Sequence, residues 1–279
     1  MSSATDEDPV TATFERAPLI VPERATGFAR YRQVLWLLTK RDLKVRYSTS
    51  VLGYLWSVLD PLLMSGIYYF VFTKVFHRDV GEEPYIVFLL SGLLAWQWFN
   101  GSVSDSTKAF LSDAKLVRST KIPRSVWINR VVASKGIEFL FSIPVLAFFA
   151  IATHAQLHWQ VVLFPIAVVL QTVLITGISL IIAPLVVFFR DLERATRLIL
   201  RFLFYASPIV YSTKSLPKDV GHIFAFNPLS GIFGIYRAAF FPNQLIKYEA
   251  VVGAIMCFVI LGIGMLVFRL CERAVLKEI

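Results

Sequence analysis

His154 and His158 stand four residues apart, a spacing that lets two imidazoles on one helix reach a shared metal ion. They sit in a polar turn with Gln156 and no third ligand accompanies them, so they read as interfacial histidines and no metal site is expected. The sequence has no G-x-x-x-x-G-K-[ST] loop to cradle the phosphates of ATP, no G-x-S-x-G elbow and no H-E-x-x-H pair. No catalytic residue is expected, and no cofactor in this chain.

What remains is charges and rings set in apolar sequence. Asp60 precedes Pro61 inside an apolar run, and Glu138 and Arg201 lie near the ends of two others. Charges in such places face protein or water, which makes them functional suspects, although Arg201 is long enough to snorkel to an interface and Asp60 is not. Tyr68, Phe72 and Phe76 recur every four residues on one helical face, and Tyr85 and Tyr211 are expected at similar depth. These rings make either an interfacial belt or a tube of ring faces along which a sugar chain slides, because a flat ring binds without demanding one hydrogen-bond pattern. Residues 107–135 carry seven basic side chains around short apolar pieces, with Ile122-Pro123-Arg124 at the centre. One reading is a solvated loop that merely sets topology. The other, favoured by its length and by Leu116, Val117, Ile122 and Trp127, is a short helix docking into a soluble partner.

The elements that hold these residues follow from an apolar composition. Of 279 residues 56% are hydrophobic and 17% charged, with mean hydropathy +0.64, against roughly a quarter charged in soluble domains. The apolar residues fall into runs long enough to cross a hydrocarbon layer about 30 Å thick. Spans are expected at 53–76, 84–106, 136–154, 159–189, 198–212 and 248–268. Residues 213–246 alternate turn chemistry with apolar pieces too short to cross, and read as re-entrant or interfacial helices lining a cavity. Residues 28–47 place Tyr31, Val34, Leu35, Leu38 and Val45 at helical spacing with basic residues mostly elsewhere, which describes an amphipathic helix in the membrane interface. Residues 1–27 read as a disordered cytoplasmic tail without the apolar core of a signal peptide. The expected fold is thus an all-α integral membrane protein: tail 1–27, interfacial helix 28–47, and a six-span domain 48–279 with re-entrant outer helices before the last span.

The net charge of +9 would suit nucleic acid, but the basic residues flank apolar runs. Six spans put 22 of the 28 on one face, in the segments Arg16–Arg46, Lys108–Lys135, Arg190–Arg201 and Arg269–Lys277. The positive-inside rule then expects a multi-pass protein of the cytoplasmic (inner) membrane with both termini cytoplasmic. No nucleic-acid partner is expected. Cys257 and Cys271, fourteen residues apart on one helix, cannot pair.

The order of these features resembles the polysaccharide-export permeases of type-2 ABC transporters, which include the O-antigen, capsule and teichoic-acid exporters. A basic amphipathic helix runs into RYSTSVLGYLWSVLDPLL. Later come Arg190-Asp191, Ser207-Pro208-Ile209, Tyr211, Leu216-Pro217, Asn227-Pro228-Leu229 and Tyr236-Arg237, over about residues 28–279. The resemblance implies a homodimer of six-span subunits, each docked on a separate ABC ATPase subunit that carries ATP and Mg, and export of a lipid-linked polysaccharide of O-antigen, galactan or teichoic-acid type. It implies that the amphipathic helix, with Tyr31, Trp36, Lys40 and Arg41, is a gate at the membrane surface. It implies that Lys115, Leu116, Arg118, Lys121, Ile122, Pro123 and Arg124 couple to the ATPase. Asp60 departs from the neutral polar residue expected there. Two other functions fit the sequence less well: an ion-gradient-driven lipid or glycan flippase without an ATPase partner, which needs buried carboxylates near the midplane and finds only Asp60, and an intramembrane lipid-modifying enzyme, which needs clustered His, Asp or Cys.

Overall fold

The computed structural model describes residues 27–48, 55–71, 82–120, 122–213, 224 and 226–278. Residues 1–26 of the expected tail, Phe72, Phe76 and Lys121 lie outside the described residues. Every long element is helical: α1 (Phe28–Ser48), α2 (Trp56–Tyr69), α3 (Tyr85–Ser106), α4 (Ala114–Ser119), α5 (Ser125–Ala152), α6 (Phe164–Phe188), α7 (Leu192–Tyr205), α8 (Pro228–Ala238) and α9 (Lys247–Glu278). Among the described residues, four helical stretches are long and apolar enough to cross a membrane: Tyr85–Ser106, Ser125–Ala152, Trp159–Phe188 and Lys247–Val275.

Helix α3 is the axis of the bundle. Its first half is almost wholly apolar, with Val87, Phe88, Leu89, Leu90 and Ala95 fully buried, and the helix packs against α2, α5, α6, α7 and α8. Outer helices expose their apolar residues instead: Leu140, Phe141, Phe148 and Ile151 on α5, and Ile255, Phe258, Ile263 and Leu266 on α9. The polar contacts between helices point inward. Ser106 donates to Ser179 at 2.9 Å and Gln171 to the Ala95 carbonyl at 2.7 Å. Lipid offers helices no hydrophobic drive to associate, so close packing and interhelical hydrogen bonds hold them. The α6–α9 seam does this through glycine: a Cβ on Gly177 would lie 2.8 Å from the backbone of Leu261.

Expected and observed boundaries agree for the second span and for the fourth, which opens with a 3₁₀ turn over Trp159–Leu163. Elsewhere they differ. The third helix begins at Ser125 instead of 136, so the last part of the expected basic loop is helix. Its basic residues are paired with acids, Arg130 with the distant Asp42 and Asp113 and Lys135 with Glu138, so charge does not end it. The last helix runs about ten residues beyond the expected 268, to Glu278. Helix α7 covers Leu192–Tyr205 in place of 198–212 and stops before Ser207-Pro208. Its 14 residues rise only about 21 Å at roughly 1.5 Å each. The expected irregular region contains α8, whose Asn227 side chain accepts from Leu229 N at 3.0 Å with Pro228 at the first helical position. In α1 the buried face is Val34, Leu38, Thr39 and Leu43; Val45, expected on that face, is exposed.

Candidate functional site

The segment expected to dock a partner folds into two faces. Asp113 precedes α4, and its carbonyl accepts from Leu116 N and Val117 N at 2.8 and 3.0 Å, which starts the first turn. Val117, Ile122 and Trp127 then turn inward, into a cluster with Val34, Leu38, Val126, Phe268 and Val275 that Leu116 flanks. They anchor the segment to its own protein, whereas the sequence alone suggests them as apolar contacts for a partner. Lys115, Arg118 and Pro123 face outward. Arg124 lies 3.5 Å from Glu272 on α9, which ties the end of the segment to the last helix.

Beside this surface, α1 lies along α5. Asn129 Nδ2 donates to the Tyr31 hydroxyl at 2.7 Å. Trp36 is exposed, with the Lys40 ammonium 5.0 Å from the centre of its ring. Arg41 pairs with Asp113 at 2.9 Å and with its neighbour Asp42 at 3.2 Å. Both carboxylates also bind Arg130 of α5: Nη1 to Asp42 at 2.9 Å and Nη2 to Asp113 at 2.6 Å. Further along α1, Arg46 reaches Asp105 at 2.8 Å and Glu138 at 3.2 Å, and Lys135 reaches Glu138 at 3.0 Å. A cleft of about 1190 Å³ opens among α1, the end of α3 and α4, with Arg46, Asp105, Lys108 and Asp113 on its walls.

Sequence reading missed Asp42, Asp105, Asp113 and Arg130. The available signal was an acid set singly within strongly basic stretches, since each such acid lowers the local self-repulsion that the basic residues would otherwise carry.

The proposed ring tube is divided. Tyr68 is half-buried and stacks on Phe204 with centroids 5.9 Å apart. The Tyr211 hydroxyl donates to the Tyr205 carbonyl at 3.0 Å, and its ring meets Phe224 edge-on. Tyr85 sits in the core, with its hydroxyl on the Val210 carbonyl at 3.1 Å and its ring against Phe88. Its ring therefore faces protein, so within one subunit it is a packing residue.

Arg237 is likewise internal. Its guanidinium lies 3.7 Å above the Phe88 ring and donates to the Pro208 carbonyl at 2.6 Å and to that of Ile209. The Ser207-Pro208-Ile209 break after α7 leaves carbonyls without helical donors, and Arg237 supplies them. Gly92 makes the room, because a Cβ there would sit 2.7 Å from Nη2 of Arg237. Arg190 and Asp191 are exposed in the turn that opens α7, where the Asp191 carbonyl accepts from Arg194 N at 3.0 Å. Asp60 lines a polar cavity of about 250 Å³ with Gln97, Asn100, Lys135 and Glu138. Glu138 there has two cationic partners and is not a lone intramembrane charge. Among the described residues, no three His, Cys, Asp or Glu side chains gather as a metal site.

Comparison with known proteins places this architecture. The family model for the ABC-2 type transporter matches residues 33–241. Two O-antigen export system permease proteins RfbA from Klebsiella pneumoniae are similar to the chain. One is 37% identical over 239 residues, covering 85% of this chain and 91% of the relative. The other is 38% identical over 218 residues, covering 77% and 83%. The polysialic acid transport protein KpsM of Escherichia coli is 25% identical over 258 residues, covering 91% of this chain and 99% of the relative. With a match over most of its length and relatives above 30% identity across four-fifths or more of their own, this chain belongs to the ABC-2 type transporter family.

Proposed function

We propose that the chain is the membrane-spanning permease subunit of an ATP-driven exporter of lipid-linked polysaccharide. The observation that carries this is its 37% identity, over 85% of its length, to an O-antigen export system permease. The chain supplies the path and a separate ABC ATPase supplies hydrolysis, with ATP and Mg held on that partner. Two copies of the chain form the pore. Helices α3, α5, α6 and α9 account for four spans, and α2 and α7 belong to the other two. This six-span count puts most basic residues on the cytoplasmic face of the inner membrane together with both termini.

Within that reading α4 is the ATPase-docking helix, supported by the outward Lys115 and Arg118 beside an inward Val117. Helix α1 is the surface gate, supported by exposed Trp36 and Lys40 over a buried face. Family membership disfavours the ion-gradient flippase. Two measurements test the proposal: recovery of an ABC ATPase with the tagged chain from its own host, and surface polysaccharide after removal of the gene. Both should depend on the chain. Polysaccharide export that continues without ATP hydrolysis overturns the reading.

A further inference from the structure

We propose that Arg41, Asp42, Asp113 and Arg130 form a mechanical link that carries displacement of α4 into α1, with Arg130 as the positioning residue that makes the two helices move together. This rests on the reading of α4 as the helix that docks the ATPase.

The link is continuous from one helix to the other. The carbonyl of Asp113 accepts the amides that open α4, so its backbone moves with the first turn of that helix, and Arg41 and Arg130 hold its carboxylate. That carboxylate binds Nη2 of Arg130 at 2.6 Å, and Nη1 of the same planar guanidinium binds Asp42 of α1 at 2.9 Å. A planar fork fixes the separation of the two carboxylates it holds, which a single ammonium charge does not. The fork itself cannot turn. Its Nε donates to the Trp127 carbonyl at 3.3 Å, its centre lies 5.0 Å from the Trp127 ring, and Trp127 is fully buried in α5. Arg41 closes the cluster by touching both acids from the α1 side.

Arg130 is 3% exposed while Asp42 and Asp113 border the cleft. Pulling one acid away would leave one nitrogen of a buried guanidinium without its charged partner, which costs more than moving the cluster as a body. Displacement of α4 therefore reaches α1 at Asp42, one helical turn from Leu38 and two residues from Lys40. A neutral side chain of equal size at Asp42 or Asp113 keeps at most a weaker hydrogen bond, because most of the strength of the connection comes from charge.

The test uses the chain assembled with its ATPase in lipid nanodiscs, where both faces are open. A cysteine is placed at exposed position 33 of α1 by Gln33→Cys, with Cys257→Ala and Cys271→Ala in the same chain. Labelling by a charged maleimide is timed with and without ATP and vanadate, and ATP hydrolysis is measured on the same sample. With the link intact, nucleotide should change the labelling rate. In Asp42→Asn the ATPase should remain bound and active while that change is lost; Asp42→Glu should restore it. A purely structural role for Asp42 would instead lower recovery of the complex. Nucleotide-dependent labelling that persists in Asp42→Asn, or that is absent when the link is intact, overturns the proposal. Loss of the ATPase from Asp42→Asn overturns it as well, by making the cluster a docking determinant only. Failure to recover any ATPase with the unmodified chain overturns the functional reading beneath it.

Discussion

Gly264 of α9 lies directly against the carbonyl oxygen of Gly177 on α6, so close that a Cβ on Gly264 would collide with it. The contact is backbone to backbone, and no flexible side chain is available to give way. Gly264→Leu should force α6 and α9 apart. Overpacking of this kind costs typically about 1–3 kcal/mol, and more where backbone must move. Thermal unfolding in detergent should show a lowered midpoint and a poor yield. Gly262→Ala, two residues away with nothing within 4 Å of its Cβ position, should leave both unchanged.

Arg237 holds the carbonyls of Pro208 and Ile209 from a fully buried position. Arg237→Met keeps much of the volume and removes both donors. Hydrogen bonds to charged groups contribute about 1.5–3 kcal/mol each, so the loss should be seen as a large drop in detergent stability. Gly92→Ala should act on the same contact from the other side by displacing Nη2. If the two substitutions share this cause, the double variant should be little worse than the worse single one.

Helix α4 separates anchoring from docking on adjacent residues. Val117→Ala removes buried apolar volume and should lower stability by on the order of 1.5 kcal/mol. Arg118→Glu touches nothing buried. It should leave insertion and stability intact while reducing recovery of the ATPase, provided the facing surface is acidic. Equal ATPase recovery from Arg118→Glu and from the unmodified chain would remove α4 from the docking surface.

Tyr68 and Tyr85 should part company in transport assays. Tyr85→Phe deletes one buried hydrogen bond, to Val210, and should cost about 1 kcal/mol of stability without changing polymer export per assembled complex. Tyr68→Ala with Phe72→Ala should lower export per complex, because one ring contact contributes only about 0.5–1.5 kcal/mol beyond burial and two must go. Unchanged export per complex would return these rings to the lipid belt.

Topology has a simple check. A cysteine at Ser119, exposed at the end of α4, should react with an impermeant maleimide only after cells are permeabilised. Labelling in intact cells would invert the orientation and with it the assignment of α4 to the cytoplasmic face.

Local hydropathy determined much of this protein. The run 84–106 and the run 159–189 carry their own boundaries, because apolar length against bilayer thickness is a property of consecutive residues, and the structure places helices at 85–106 and 164–188 after a 3₁₀ turn. The combination of Arg190-Asp191, Ser207-Pro208-Ile209, Asn227-Pro228 and Tyr236-Arg237 was enough to indicate the family before any coordinate. What hydropathy could not decide is where a charge finds its partner. Arg130 and Lys135 read as loop in the sequence because their acids, Asp42, Asp113, Asp105 and Glu138, lie mostly outside α5, and only folding brings them close enough to let α5 start at Ser125. The same holds for Tyr85 and Val117, whose types fit a conduit and a docking contact in sequence, and for Arg237, which sequence offers only as part of a family motif. Burial is set by what packs opposite a side chain, and for each of these three the opposing surface comes from a distant part of the same chain.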